Sequence, residues 1–229
     1  MIETKLLVGR YLDFTRPTWR NLTGVAPVFA NVVCPPLTLQ ESVRRIPGAT
    51  LNPFRNVGGQ RASGVVAGTN PAADKAHRNF KFLPWYQGDI SETTLDRDVI
   101  TGPMSGCVLV SYRQGGNVMV GHIGTVTVTD AVPASINVNV KALWNNFANA
   151  NPLDVIGGFN PVAATVPMHP PAQAGDIAGE TWGLYTVTGD YYAVQVYKQA
   201  VRTGGPVSEF RVAALHRVPS MTLVQLQNL

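Results

Sequence analysis

The chain has 229 residues, 18 Lys or Arg against 14 Asp or Glu, a net charge of +4, and only 14% charged residues where soluble domains carry roughly 25%. A hydrophobic share of 45% at that low charge excludes a disordered chain and a coiled coil. No apolar run approaches the roughly 20 residues that a helix needs to cross a bilayer, and 22 Gly with 17 Pro point to short strands between many turns.

In chain order, strand-like runs fall at 6–12, 28–33, 63–68, 80–86, 107–112, 118–128, 181–187, 191–197 and 210–218, most of them bounded by Gly, Pro or Asn. Residues 133–150 read as a helix, with Val138, Leu143 and Phe147 near helical spacing, and 38–45 as a second, shorter one. Stretches 47–79 and 161–180, rich in Gly, Pro and Ala, read as long surface loops. With no repeat or compositional break, one domain over 1–229 is expected. Two hairpins are expected as well, one turning through 113–117, which holds Gly115-Gly116, the other through Thr188-Gly189-Asp190.

The segment from Thr101 to Thr125 carries the chemistry. If the first hairpin turns on Gln114-Gly115, Cys107 lies opposite His122; if it turns on Gly115-Gly116, His122 faces Leu109 and lies diagonal to Cys107 on the same sheet face. A three-residue loop would put the two on opposite faces. A thiol beside an imidazole can become a thiolate nucleophile toward a carbonyl carbon. Cys107 follows Ser105-Gly106 at a strand mouth, where a glycine turn can expose the thiol and aim backbone N–H groups at an oxyanion. Gly121 and Gly124 beside His122 suggest room for a substrate chain.

Met104-Ser105-Gly106-Cys107, followed by a strand, a hairpin and His122 fifteen residues on, resembles the Cys-His glutamine deamidases, among them the catalytic domain of cytotoxic necrotizing factor, the Burkholderia lethal factor and the chemoreceptor deamidase CheD. Thr101, six residues before Cys107, matches the Thr that orients the histidine in the lethal factor and CheD, and Met104 stands where the toxins have Leu. The resemblance covers residues 101–125. It implies an α+β fold, a central antiparallel β-sandwich with flanking helices, and a triad of Cys107, His122 and Thr101, with Ser105 and Gly106 lending backbone to the oxyanion site. It further implies hydrolysis of a glutamine side-chain amide in a partner protein, such as a host small GTPase or a translation factor, without cofactor or metal. The chain would then be a monomeric toxin or effector with a virulence role, made in a bacterial cytoplasm and acting in a host cytosol after secretion. The alternatives are another Cys-His acyl-transfer enzyme, a peptidase or transglutaminase, and a non-enzymatic β-sandwich binding protein.

The remaining features point elsewhere. The 13 Arg and 5 Lys are dispersed, with Arg44-Arg45 the only adjacent pair, so no nucleic-acid face is expected. His77, His169 and His216 read as solvated or strand-end residues, and no cluster has metal-ligand spacing. Asp89, Glu92, Asp96 and Asp98 read as a solvated turn, the four Trp as core or rim residues, and Cys34 and Cys107 as free thiols.

Overall fold

The computed structural model describes residues 2–14, 16–17, 20, 26–46, 60–68, 79–127, 133–163, 176–199 and 208–229. Strands dominate, in two sheets. Eight of them close a barrel in the order β1 (Tyr11–Phe14), β13 (Ser208–Val218), β12 (Tyr191–Gln199), β11 (Asp176–Tyr185), β7 (Asp98–Thr101), β5 (Asn79–Leu83), β3 (Pro36–Ile46) and β4 (Gln60–Gly68), which pairs back onto β1. The other sheet runs β10 (Val155–Phe159), β8 (Val108–Gln114), β9 (Asn117–Ile123), β6 (Ile90–Thr94) and β2 (Phe29–Asn31). Pairing is mainly antiparallel, with parallel ladders at β1–β4, β5–β7 and β2–β6.

Strand alternation sorts the apolar residues into three layers. The barrel is filled by Phe80, Phe82, Ile100, Trp182, Val194, Phe210 and their neighbours. Its outer wall, with Leu83, Val99, Tyr185, Tyr191 and Ala193, packs on the near face of the second sheet through Cys107, Leu109, Val120 and Phe159. The far face of that sheet, with Val108, Val110 and Tyr112, is covered by helix α1 (Ser135–Ala150) and the short α2 (Leu223–Leu226). Tyr112 sits among Phe29, Trp144 and Phe147 there, with ring centroids 5.0–6.0 Å apart.

Helix α1 lies where the sequence places it, but its buried stripe is Val140, Trp144 and Ala148; Val138 is exposed, and Leu143 and Phe147 are half-buried. The stripe follows the i, i+4 spacing around the large indole, whose Nε1 donates to the Leu226 carbonyl at 2.8 Å. The helix expected at 38–45 is instead strand β3, in register with β4 from Thr38↔Gly68 to Ile46↔Gln60. Pairing with a neighbouring strand overrides the weak helical spacing of that segment. The two long loops shrink likewise, since β4 lies inside 47–79 and β11 begins within 161–180. His77, His169 and Trp19 fall outside the described residues, and His216 is exposed near the end of β13.

The acidic residues are not a solvated turn. Asp89, Glu92 and Asp98 are buried in or beside β6 and β7, and only Asp96 is exposed. Each buried carboxylate has partners: Asp98 accepts from the backbone N–H of Ile2 and of Val187, Asp89 from Val28 N–H and Arg20, and Glu92 from the Tyr112 hydroxyl. Among the described residues no helix is long and apolar enough to cross a membrane.

Candidate active site

Both glycines of the first hairpin take positive φ, 57° at Gly115 and 80° at Gly116, the two-residue turn that matches strand twist. Gln114 therefore pairs with Asn117, and Leu109 faces His122. This is the second of the two registers expected for a two-residue loop, and it excludes the three-residue loop. Cys107, one residue before β8, belongs with Leu109 to the buried layer turned to the barrel, and its thiol makes no hydrogen bond to His122.

Thr101 reaches the same layer from the barrel. As the last residue of β7 it pairs with Gly183, and the chain then crosses to the second sheet through the cis Gly102-Pro103 bond and Met104. The Met104 N–H donates to Thr181 O at 2.8 Å, which pins the crossing to β11. Gly102 is required at the bend, since a Cβ there would run into the buried Trp182 ring.

The Thr101 Oγ1 lies 2.7 Å from the Leu83 carbonyl and 2.7 Å from His122 Nδ1. A carbonyl cannot donate, so the single hydroxyl proton points to Leu83, and Thr101 accepts from Nδ1–H. That fixes the imidazole as the Nδ1–H tautomer. Nε2 then holds a lone pair, and it has no hydrogen-bond partner although the ring is fully buried. The neighbour Ser91, opposite His122 on β6, spends its own hydroxyl proton on Pro84 O at 2.7 Å.

The thiol is engaged by Thr125, a residue that the sequence marks only as the end of the Gly-Thr run after His122. Cys107 Sγ donates to the Thr125 carbonyl at 3.6 Å and accepts from the Thr125 hydroxyl at 3.3 Å. The chain around Thr125 is in turn held by Asn137 of α1, whose side-chain amide makes both hydrogen bonds to the backbone of Val126, at 2.7 and 2.9 Å. No sequence spacing announces that clamp, because helix and strand end meet only in the folded chain.

Two expectations change. Cys107 is 2% exposed rather than presented at the strand mouth; of the preceding turn, Ser105 is exposed and Gly106 half-buried. The glycines beside His122 leave no room for a substrate chain. Gly121 admits Val110, Ile90 and Tyr112 on the helix side, and Gly124 lies against the carbonyls of Tyr86 and Asp89.

Burial sets the electrostatics of the resting site. It pushes the Cys107 thiol up, while the Thr125 hydroxyl and backbone groups at Thr125, Ser105 and Gly106 act the other way. The same burial lowers His122 to about 3. Cysteine and histidine therefore rest as a neutral pair. Cys34 is also buried, free and raised by burial, so it offers no more reactive thiol. Among the described residues no group of His, Cys, Asp and Glu could hold a metal ion.

The depressed His122 makes the fold pH-sensitive on the acid side. Between 6.5 and about 3 the unfolded chain binds a proton at this position that the folded chain refuses. Stability from this group is thus complete above 6.5 and falls as the pH drops, by up to about 1.4 kcal/mol per pH unit. Urea midpoints of wild type and His122→Gln from pH 7 to pH 4 test this: the wild type should lose more stability, and parallel curves would contradict it.

No protein-family model matches the chain, and no curated protein matches it in sequence.

Proposed function

We propose that this protein is a protein glutamine amidohydrolase, converting a glutamine side chain of a partner protein to glutamate and ammonia through a Cys107 thioester. The observation that carries the reading is the Thr101–His122 hydrogen bond: it fixes the tautomer that leaves the Nε2 lone pair unengaged in the layer shared with the Cys107 thiol. The resemblance of residues 101–125 to the Cys-His glutamine deamidases supplies the reaction. An α+β sandwich with flanking helices belongs to the same proposal, supported by α1 and α2 against the second sheet.

The chemistry follows from the groups in place. The thiol leaves the Thr125 carbonyl and gives its proton to Nε2, and the thiolate attacks the amide carbon. Backbone N–H groups of residues 105–107 receive the oxyanion. The imidazolium protonates the departing nitrogen, ammonia leaves, and a thioester remains. Nε2 then takes a proton from water, the hydroxide attacks the thioester, and the released thiolate recovers its proton, giving glutamate. Thr101 positions the ring throughout.

At rest the pair is too far apart in acidity for that first transfer, because burial favours both neutral forms. Opening the 102–106 turn to substrate and water relieves the desolvation of both groups and moves their pKa values toward each other. The reaction class implies a toxin or effector acting on a host protein; the low overall charge and the dispersal of the basic residues along the sequence speak for a protein partner over a nucleic acid.

The test is to incubate wild type and Cys107→Ser with eukaryotic lysate and seek, by mass spectrometry, glutamines converted to glutamate by the wild type alone. Such sites would establish the reading and name the target, whereas cleaved or amine-crosslinked products would move it to a peptidase or transglutaminase. A second reading, a non-enzymatic β-rich binding protein, draws on the burial of both thiol and imidazole. It requires that Cys107→Ser change no product in eukaryotic or bacterial lysate.

A further inference from the structure

A groove of about 600 Å³ opens where β8 begins and β10 ends, within the roughly 300–1,000 Å³ of ligand-binding clefts. Val108, Phe159 and Met221 give it apolar lining, and Gly106, the residue before Cys107, forms part of its wall. Among the described residues two cations border it, Lys141 from α1 and Arg217 from β13, and no Asp or Glu side chain lines it. Arg217 also meets Asp190, which lies outside the lining, while Lys141 has no ion-pair partner among the described residues. A lysine ammonium with no ion-pair partner among the described residues, beside an apolar floor, favours a segment that carries both carboxylates and apolar side chains.

We infer that this groove seats an acidic, partly apolar segment of the protein substrate and delivers its glutamine to Cys107 past Gly106. The inference rests on the deamidase reading and adds the substrate's local chemistry: Asp or Glu close to the target glutamine. Lys141 supplies the charge selection, and Val108, Phe159 and Met221 the apolar contact. Gly106 couples the two sites, since any segment pressed against it touches the turn that must open for the thiol to be reached.

The test uses the full chain carrying Cys107→Ala and a fluorescein-labelled hexapeptide with a central glutamine among Glu and Leu, read by anisotropy. Its counterpart has Lys in place of each Glu. Saturable binding of the acidic peptide, about tenfold weaker after Lys141→Glu and unchanged after Arg113→Glu on the exposed β8–β9 hairpin, is expected, with no binding of the basic peptide. Failure of the acidic peptide to bind, equal binding of both peptides, or indifference to Lys141→Glu overturns the groove assignment. Incubating the same peptide with the chain that retains Cys107 separates the two proposals. A peptide that binds as described but keeps its mass leaves the groove standing and counts against deamidation, and conversion indifferent to Lys141→Glu does the reverse.

Discussion

Thr101→Val should abolish most of the proposed amidohydrolase activity while leaving the fold in place. The substitution keeps the shape of the side chain and removes one oxygen, which serves both Leu83 O and His122 Nδ1. Each buried group left unmet costs about 1–3 kcal/mol, a tolerable loss for a domain of ordinary stability. The larger consequence is chemical. With no acceptor at Nδ1 nothing holds the proton or the ring in place, so the imidazole loses the fixed tautomer and orientation that keep the Nε2 lone pair ready for the thiol proton. Turnover of the target glutamine is expected to fall about 10²- to 10⁴-fold, the usual worth of a positioned general base. Nitrogen-15 shifts of the imidazole would report the tautomer directly, and Thr101→Ser, which restores the hydroxyl, should recover both the shifts and the rate. An active Thr101→Val enzyme with an unchanged imidazole spectrum would refute the role.

Gly124→Ala should be the most damaging added methyl among the described glycines. A Cβ at that position would fall on the Tyr86 carbonyl and lie 2.8 Å from the Asp89 carbonyl. These are backbone atoms, and the same backbones bond to this residue, through Gly88 N–H to Gly124 O at 2.8 Å and Gly124 N–H to Asp89 O at 2.9 Å. Relief therefore means breaking the junction between the 86–89 turn and the end of β9. A cost of at least about 3 kcal/mol is expected, beyond ordinary overpacking because no side chain can swing aside. Gly106→Ala is the control. Its Cβ would meet only the Thr125 hydroxyl, at an ordinary 3.8 Å, so its urea midpoint should stay within about 0.5 kcal/mol of wild type. Equal midpoints for the two variants would show that the close approach at Gly124 is not enforced.

The parts of this fold that were legible in sequence are those governed by local rules. Gly115-Gly116 marked the hairpin turn but left its loop length open, with Cys107 and His122 on one face only for a two-residue loop; the positive φ angles at both glycines and the Gln114↔Asn117 pair select that loop. The helix at 133–150 was legible for its length and its Pro and Asn boundaries, but which residues it buries depends on where Trp144 finds Leu226. Strands β6 and β7 were invisible because Asp89, Glu92 and Asp98 look solvated until Arg20, Tyr112 and the N–H groups of Ile2 and Val187 arrive from distant parts of the chain. Glycines near a histidine suggest open space in a sequence; in the structure Gly121 and Gly124 are filled by the protein itself. The thiol's attachment to Thr125 and the Asn137 clamp behind it are tertiary contacts with no local signature.

The groups that would perform the chemistry are divided between the two layers: Thr101 comes from the barrel wall, Cys107 and His122 from the sheet packed on it. Under the proposed reaction the fold would act as a coincidence detector. A nascent or partly folded chain with only one layer formed holds a thiol and an imidazole without a fixed tautomer, and is chemically silent. Slippage of one sheet over the other by a single residue would move Thr101 onto the wrong neighbour and silence the site while every strand remained intact. Loss of the proposed catalysis on mild heating should thus precede loss of secondary structure, and its rate would be the more sensitive gauge of how the two layers are seated.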